Sequence, residues 1–143
     1  MRYKILSCLF FTLLLINCAG TDSALNKQES VLKKLSLEKF GTSFRLIYNF
    51  DKSYSIVVKQ EKSTAKNPNP LLQFFVYDMG KDKIIFEESF SGGKIKWKNN
   101  RQFEVTITPE MISTEARNKL YGYIYDVGLG TKTDLNSQST KQN

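Results

Sequence analysis

Histidine is absent from this chain, and cysteine, proline and tryptophan are scarce. The 143 residues include two Cys, three Pro and one Trp. Without histidine the chain lacks the side chain that most often serves as a general base or a metal ligand. This absence weighs against most hydrolases and zinc enzymes.

Acidic residues are also in deficit, with 14 Asp and Glu against 21 Lys and Arg, so the formal net charge is +7. The length suits one ordinary domain and is too short for two separate cores. Hydrophobic residues at 41% and charged residues at 24% fit a globular protein, not a disordered chain or a multi-span membrane protein.

The main apolar run lies near the N-terminus and is short. Arg2 and Lys4 precede it, and residues 5–16 are apolar apart from a few small polar side chains. A helix needs about 20 apolar residues to cross ~30 Å of hydrocarbon. The run therefore indicates a secretory signal peptide instead of a membrane span.

A cysteine motif ends this run. Leu15, Ile16, Asn17 and Cys18 are followed by small residues, which resembles the lipobox of bacterial lipoproteins. In that motif the cysteine is joined to diacylglycerol and becomes the new N-terminus. Asn17 differs from the Gly, Ala or Ser usual before the cysteine, and Cys8 lies too early to serve. The resemblance implies a signal peptide over residues 1–17 and lipidation of Cys18. The alternative is an incidental thiol beside an ordinary or uncleaved signal.

Lipidation anchors a protein to a membrane without spanning it, so membrane lipid is the first expected partner. Acyl chains contribute about 0.8 kcal/mol per buried CH₂, and two or more chains hold a protein stably. Residues 18–30 are polar and weakly patterned after Cys18, which predicts a lipidated N-terminus with a flexible tether. Cleavage removes Cys8 and acylation blocks Cys18, so the mature protein has no thiol for a disulfide or a nucleophile.

From about residue 43 onward, apolar and polar side chains alternate as in half-buried strands. Phe44, Leu46, Tyr48 and Phe50 share one face, for example. Residues 71–77 are apolar on both faces apart from Gln73, which predicts a central strand buried on two sides. Turn-forming segments separate the strands at residues 51–53, 79–82, 91–93 and 99–100. The last of these, Asn-Asn, predicts a tight hairpin with positive φ.

About seven short strands predict a mainly β fold, either a single antiparallel β-sandwich of the immunoglobulin-like type or a meander. We expect this domain over residues 31–130. Within it, residues 31–40 fit either a helix face or a strand. Thr108, Pro109 and an early acid predict a short helix near residues 109–119. Residues 131–143 are polar and are expected to fray as a tail.

Three tyrosines form a candidate ligand-binding stripe. Tyr121, Tyr123 and Tyr125 point to one side of a predicted strand, and their rings can stack against sugar rings. The alternative is packing on a half-buried sheet, where cross-strand pairs contribute about 0.2–1 kcal/mol. Strand propensity alone explains these tyrosines, so the sequence favours the packing role. Trp97, which alternates with lysines, is likewise expected in the core.

Lysines form a second candidate site. Lys94, Lys96 and Lys98, with Arg101 close behind, make a basic ladder that suits an anionic glycan or a lipid headgroup. Lysines on an exposed sheet face also prevent edge-to-edge aggregation. We favour this second role, since nearby acids can screen the ladder across the sheet. The acids expected to do so are Glu87, Glu88 and Glu104.

Carboxylates are the remaining candidates for acid–base chemistry, namely Asp51, Asp78, Asp82, Glu87 and Glu88. Asp78 and Asp82 bracket a turn, but the residues between them do not fit a calcium loop. Glu87 and Glu88 are adjacent on a strand and so face opposite ways. The sequence therefore predicts a protein without catalytic residues, metal or cofactor.

The domain is similar in character to small bacterial lipoproteins of the Bacteroidota type. The similarity is carried by the Leu15–Cys18 motif and by residues 84–86, 92–97, 107–109 and 123–126. It implies a cell-envelope location, which we expect to be the outer membrane facing the periplasm. The expected role is a non-enzymatic interaction or structural module with an envelope protein partner. The alternative is a glycan-binding or small-ligand module, and nucleic acid is not an expected partner.

Overall fold

The computed structural model describes residues 21–108 and 121–139, which divide between two compact units, residues 1–35 and 36–143. Helix α1 (Thr21–Phe40) runs across this division, and every described strand belongs to the second unit. The strands are β1 (Arg45–Tyr48), β2 (Tyr54–Gln60), β3 (Leu71–Asp78), β4 (Lys83–Ser91), β5 (Gly93–Trp97), β6 (Gln102–Ile107), β7 (Gly122–Asp126) and β8 (Thr131–Asp134). A short helix, α2 (Asn136–Ser139), follows them.

The strands form two antiparallel sheets, and each follows chain order. The first sheet has the order β1-β2-β3-β4 and the second has the order β5-β6-β7-β8. The predicted mainly β fold is confirmed, with eight strands in residues 21–108 and 121–139 where about seven were expected. Both sheets are meanders, which differs from the Greek-key connections of the immunoglobulin fold.

The core lies between the two sheets and is rich in aromatic rings. Phe103 of β6 is fully buried and contacts rings from both sheets. Its centroid lies 5.9 Å from that of Phe74, 5.7 Å from Trp97 and 5.2 Å from Tyr125. Trp97 also donates a 2.8 Å hydrogen bond from Nε1 to the carbonyl of Ile47. The prediction that Trp97 belongs to the core is confirmed.

Strand β3 is buried on both faces, as its apolar sequence predicts. Phe74 and Val76 face the core between the sheets. Phe75 points to the outer face of the first sheet, where its ring centroid lies 5.5 Å from that of Phe40 in α1. The last turn of α1 therefore covers part of this outer face.

Helix α1 corrects the flexible tether expected before residue 31, because residues 21–30 are helical. Residues 31–40, whose sequence fits either a helix or a strand, are also helical. The segment 21–40 contains no Gly or Pro, and Glu29 and Lys33 form an i,i+4 ion pair of 3.0 Å. Good helix formers and such pairs favour a helix even where hydrophobic periodicity is weak.

Strand β8 corrects the expected polar tail. Thr131–Asp134 pairs with β7 although all four of its residues are exposed. An edge strand can be held by backbone hydrogen bonds to one neighbour. Because no side chain of β8 is buried, its sequence shows no alternation of apolar and polar residues. Of the expected tail, residues 140–143 lie outside the described residues.

The Asn99–Asn100 segment forms the turn between β5 and β6, but neither residue has positive φ. The turn is longer than a two-residue hairpin, and Asn99 Oδ1 accepts 2.8 Å hydrogen bonds from the backbone of Arg101 and Gln102.

Two other predictions, the signal peptide with Cys18 and the helix near residues 109–119, lie outside the described residues. Within the described ranges, no helix combines the length and apolar character needed to cross a bilayer.

Candidate functional site: a polar groove at the end of helix α1

The groove lies where the last turn of α1 meets the outer face of the first sheet. The helix stops at Phe40, and Gly41 follows with φ of +70°. Its backbone N–H donates a 2.9 Å hydrogen bond to the Leu37 carbonyl. Glycine adopts this left-handed conformation without steric cost, so it is the usual residue after a helix end.

Two rows of side chains on β3 and β4 lie at this helix end. Phe75 pairs with Glu87 in one row, and Gln73 pairs with Ser89 in the next. Residues two apart on a strand share a face, so all four point outward together. Phe40 packs on the first row, which leaves the Gln73–Ser89 row uncovered by the helix end.

An ion pair forms one wall of the groove. Lys39, in the last turn of α1, places Nζ 2.8 Å from Glu87 Oε2. The resulting cavity has a volume of about 360 Å³. Its lining residues, from α1, β3 and β4, are Lys39, Phe40, Gln73, Phe74, Glu87, Glu88 and Ser89. We call this cavity the outer groove.

The tyrosine stripe predicted from the sequence does not form an exposed surface. Tyr123 and Tyr125 are 8% and 9% exposed and belong to the core between the sheets. Tyr121 precedes β7, is half-buried, and accepts a 2.8 Å hydrogen bond from the Ile107 N–H at its carbonyl. The second sheet presents Tyr123 and Tyr125 to the first sheet, so they are packing residues.

Besides packing in the core, Tyr123 belongs to a polar cluster between the two sheets. Its hydroxyl donates a 2.5 Å hydrogen bond to Glu88 Oε2, and Lys132 Nζ lies 2.8 Å from the same oxygen. Lys132 Nζ also lies 4.3 Å from the centroid of the Tyr123 ring. Burial, reinforced by the Glu88 carboxylate, raises the pKa of Tyr123 well above its usual value. We call Glu88, Tyr123 and Lys132 the edge cluster, because β4 and β8 are edge strands.

One acid of the second sheet lies beside two of the three lysines of the ladder. Glu104 of β6 lies 3.2 Å from Lys96 and 3.9 Å from Lys98. Lys94 has no ion-pair partner in residues 21–108 and 121–139. The hydrogen bond from Gln102 is the main cause of the lowered pKa of Asp126, and Arg101, which lies in the turn after the ladder, adds a smaller electrostatic contribution.

The expected screening of the ladder by Glu87 and Glu88 is wrong, because β4 belongs to the other sheet. Glu87 contacts Lys39 and Glu88 contacts Lys132 instead. These partners also show that the two adjacent carboxylates face opposite sides of the first sheet, as the sequence predicts.

The other candidate carboxylates contact residues that are close to them in the sequence. Asp51 accepts hydrogen bonds from Ser53 and Asn49, and the Ser53 side chain is the main cause of its lowered pKa. Asp78 contacts Lys81, and Asp82 accepts a hydrogen bond from the Tyr77 hydroxyl. In the described part of the chain, no three Asp, Glu or Cys side chains form a group that could hold a metal ion.

Sequence reasoning missed both the outer groove and the edge cluster. Gln73 is the one residue of the outer groove that stands out in the sequence, because it interrupts a strand that is otherwise apolar. Nothing in the sequence places Lys39 beside Glu87, since these residues are far apart in the chain. The three residues of the edge cluster lie on three different strands, so no short stretch of the sequence predicts that they meet.

Comparison with protein families, curated proteins and solved structures finds no match to this chain.

Proposed function

We propose that this protein is a membrane-anchored lipoprotein of the bacterial cell envelope, held by acylated Cys18, whose β-sandwich is a non-enzymatic interaction module. The observation that carries the proposal is the Leu15–Cys18 motif at the end of a signal-like apolar run. Only Ala19 and Gly20 separate Cys18 from the first residue of α1. We place the protein on the periplasmic side of the outer membrane.

The contacts of the carboxylates support an interaction role over acid–base chemistry. An enzyme built on carboxylates alone needs two carboxyl groups that converge on one substrate. Glu87 and Glu88 point to opposite faces, where each pairs with a different lysine. Asp51, Asp78 and Asp82 stabilise turns next to their own strands.

A second candidate function is the binding of a glycan or another small ligand. The tyrosine stripe gives this candidate little support, because Tyr123 and Tyr125 lie in the core. The outer groove supports it better, since it combines an aromatic ring with several polar groups in one concave surface.

The proposal is tested by crosslinking in intact cells, comparing wild type with Cys18→Ser. We expect wild type in the membrane fraction, crosslinked to a reproducible envelope protein. We expect Cys18→Ser to lose both membrane retention and the crosslink, because it lacks the acyl anchor.

Cys8→Ser is the matched control, since it removes the other thiol and leaves the lipobox-like motif intact. This variant should behave as wild type. Equal membrane retention of Cys18→Ser and wild type would contradict the anchor. Retention without any crosslinked envelope protein would favour the ligand-binding candidate.

A further inference from the structure

The outer groove contains polar groups that nothing else in the described chain uses. The Gln73 amide and the Ser89 hydroxyl have no side-chain hydrogen bond within residues 21–108 and 121–139, although they are neighbours across β3 and β4. An amide offers donors and an acceptor, and a hydroxyl offers both as well. The rest of β3 is mostly buried, so this polar pair forms a distinct patch at the end of α1.

Each acid that lines the groove is paired with a lysine. Glu88 pairs with Lys132, and Glu87 pairs with Lys39. Lys39 and Glu87 pair at 2.8 Å, with side chains 37% and 62% exposed. An anionic ligand would meet Glu87, and a cationic ligand would meet Lys39, so either would face a like charge. A neutral hydroxyl can donate to Glu87 and accept from Lys39 without this penalty.

The groove also has an apolar side. Phe40 lines it and is held in place by packing on Phe75, with 5.5 Å between ring centroids. The C–H face of a sugar ring can lie against such a ring while its hydroxyls meet the polar groups. The volume of about 360 Å³ lies at the lower end of the range for small-molecule sites.

We propose that the outer groove binds a neutral polyhydroxylated ligand of the size of a monosaccharide or disaccharide. Gln73 and Ser89 bind its hydroxyls, the Lys39–Glu87 pair binds others, and Phe40 contacts its apolar face. This inference deepens the ligand-binding candidate above and does not depend on the membrane anchor.

The test is saturation-transfer NMR on the full chain in detergent micelles, followed by calorimetric titration. The probes are glucose, galactose, mannose, N-acetylglucosamine, maltose and cellobiose. We expect at least one sugar to receive saturation from the protein. Gln73→Ala should weaken its binding by about tenfold, as expected for the loss of two hydrogen bonds from a site. Ser89→Ala should weaken binding by a smaller factor.

Gln60→Ala is the matched control, because Gln60 is exposed on β2 and lies outside the groove. This variant should bind the same sugar within about twofold of wild type, since it removes no groove contact. Circular dichroism and thermal unfolding check that each variant is folded.

Two results would overturn the inference. One is the absence of saturation transfer to every sugar of the panel, and the other is unchanged affinity in folded Gln73→Ala and Ser89→Ala. The Cys18→Ser variant separates this proposal from the anchor. Sugar binding by that variant with loss of membrane retention supports both, whereas sugar binding by an unlipidated wild type overturns only the anchor.

Discussion

Tyr123 and Tyr125 lie on the same strand and are almost equally buried, yet their hydroxyl groups have different surroundings. Tyr123 donates to Glu88, whose carboxylate also binds Lys132. The described residues offer the Tyr125 hydroxyl no such partner. Burial raises the pKa of Tyr123, so it remains a neutral donor at any ordinary pH.

This difference gives a prediction at the residue scale. Tyr123→Phe should lower the free energy of unfolding by about 1 kcal/mol, because it removes a part-buried hydrogen bond whose acceptor, Glu88, keeps Lys132 as a partner. Tyr125→Phe is the matched control, with the same loss of one hydroxyl from the same strand, and should change stability far less. Urea denaturation measures both, and equal losses would contradict the role assigned to the edge cluster.

Individual residues also show what the sequence could and could not predict. The alternation around Phe103 and Val105 identifies core-facing side chains correctly, since period two is a local property of a strand. The partners of Glu87 and Glu88 could not be predicted, because they depend on which sheet β4 joins. Gln73 stands out in the sequence as a polar residue in an apolar strand. Its neighbour in the groove, Phe40, could not be predicted, because it lies in a helix that is far from β3 in the sequence.

At the scale of elements, glycines decide where the chain changes direction. Gly92, with φ of +62°, lies between β4 and β5, and Gly93, with φ of +133°, is the first residue of β5. The sequence indicates only a turn there, whereas the chain passes from the first sheet to the second. A Cβ at Gly93 would lie 2.3 Å from the Thr106 carbonyl oxygen, so the close approach of β6 requires glycine.

Gly41 gives a prediction at this scale. Gly41→Ala should lower stability by about 1–2 kcal/mol, because an L side chain is strained at its φ of +70° although the surrounding space is open. The variant should also disturb the outer groove, whose rim is the helix end that Gly41 terminates. Thermal unfolding and the sugar titration measure the two effects.

Gly80→Ala is the control for this prediction. Gly80 has no positive φ, and an added Cβ would lie 3.5 Å from Asp78 Oδ1, which is an ordinary contact. Its stability should stay within about 0.5 kcal/mol of wild type. Equal destabilisation by the two substitutions would show that backbone strain at Gly41 is not the cause.

For the molecule as a whole, two sequential meanders form one β-sandwich. The class of fold was predictable, because alternation and turn signals recur through the chain. The strand β8 and the helix over residues 21–30 were not, since an exposed edge strand and a weakly amphipathic helix lack a clear periodic pattern. Both elements are stabilised by backbone hydrogen bonds, which leave little trace in the sequence.

An acyl group on Cys18 is proposed to anchor the whole sandwich to a membrane. The most direct test is mass spectrometry of the N-terminal peptide from the membrane-associated protein. We predict that the peptide begins at Cys18 and carries a diacylglyceryl group on that thiol. A peptide that retains residues 1–17, or that begins at an unmodified Cys18, would show that Cys18 is not a lipid anchor.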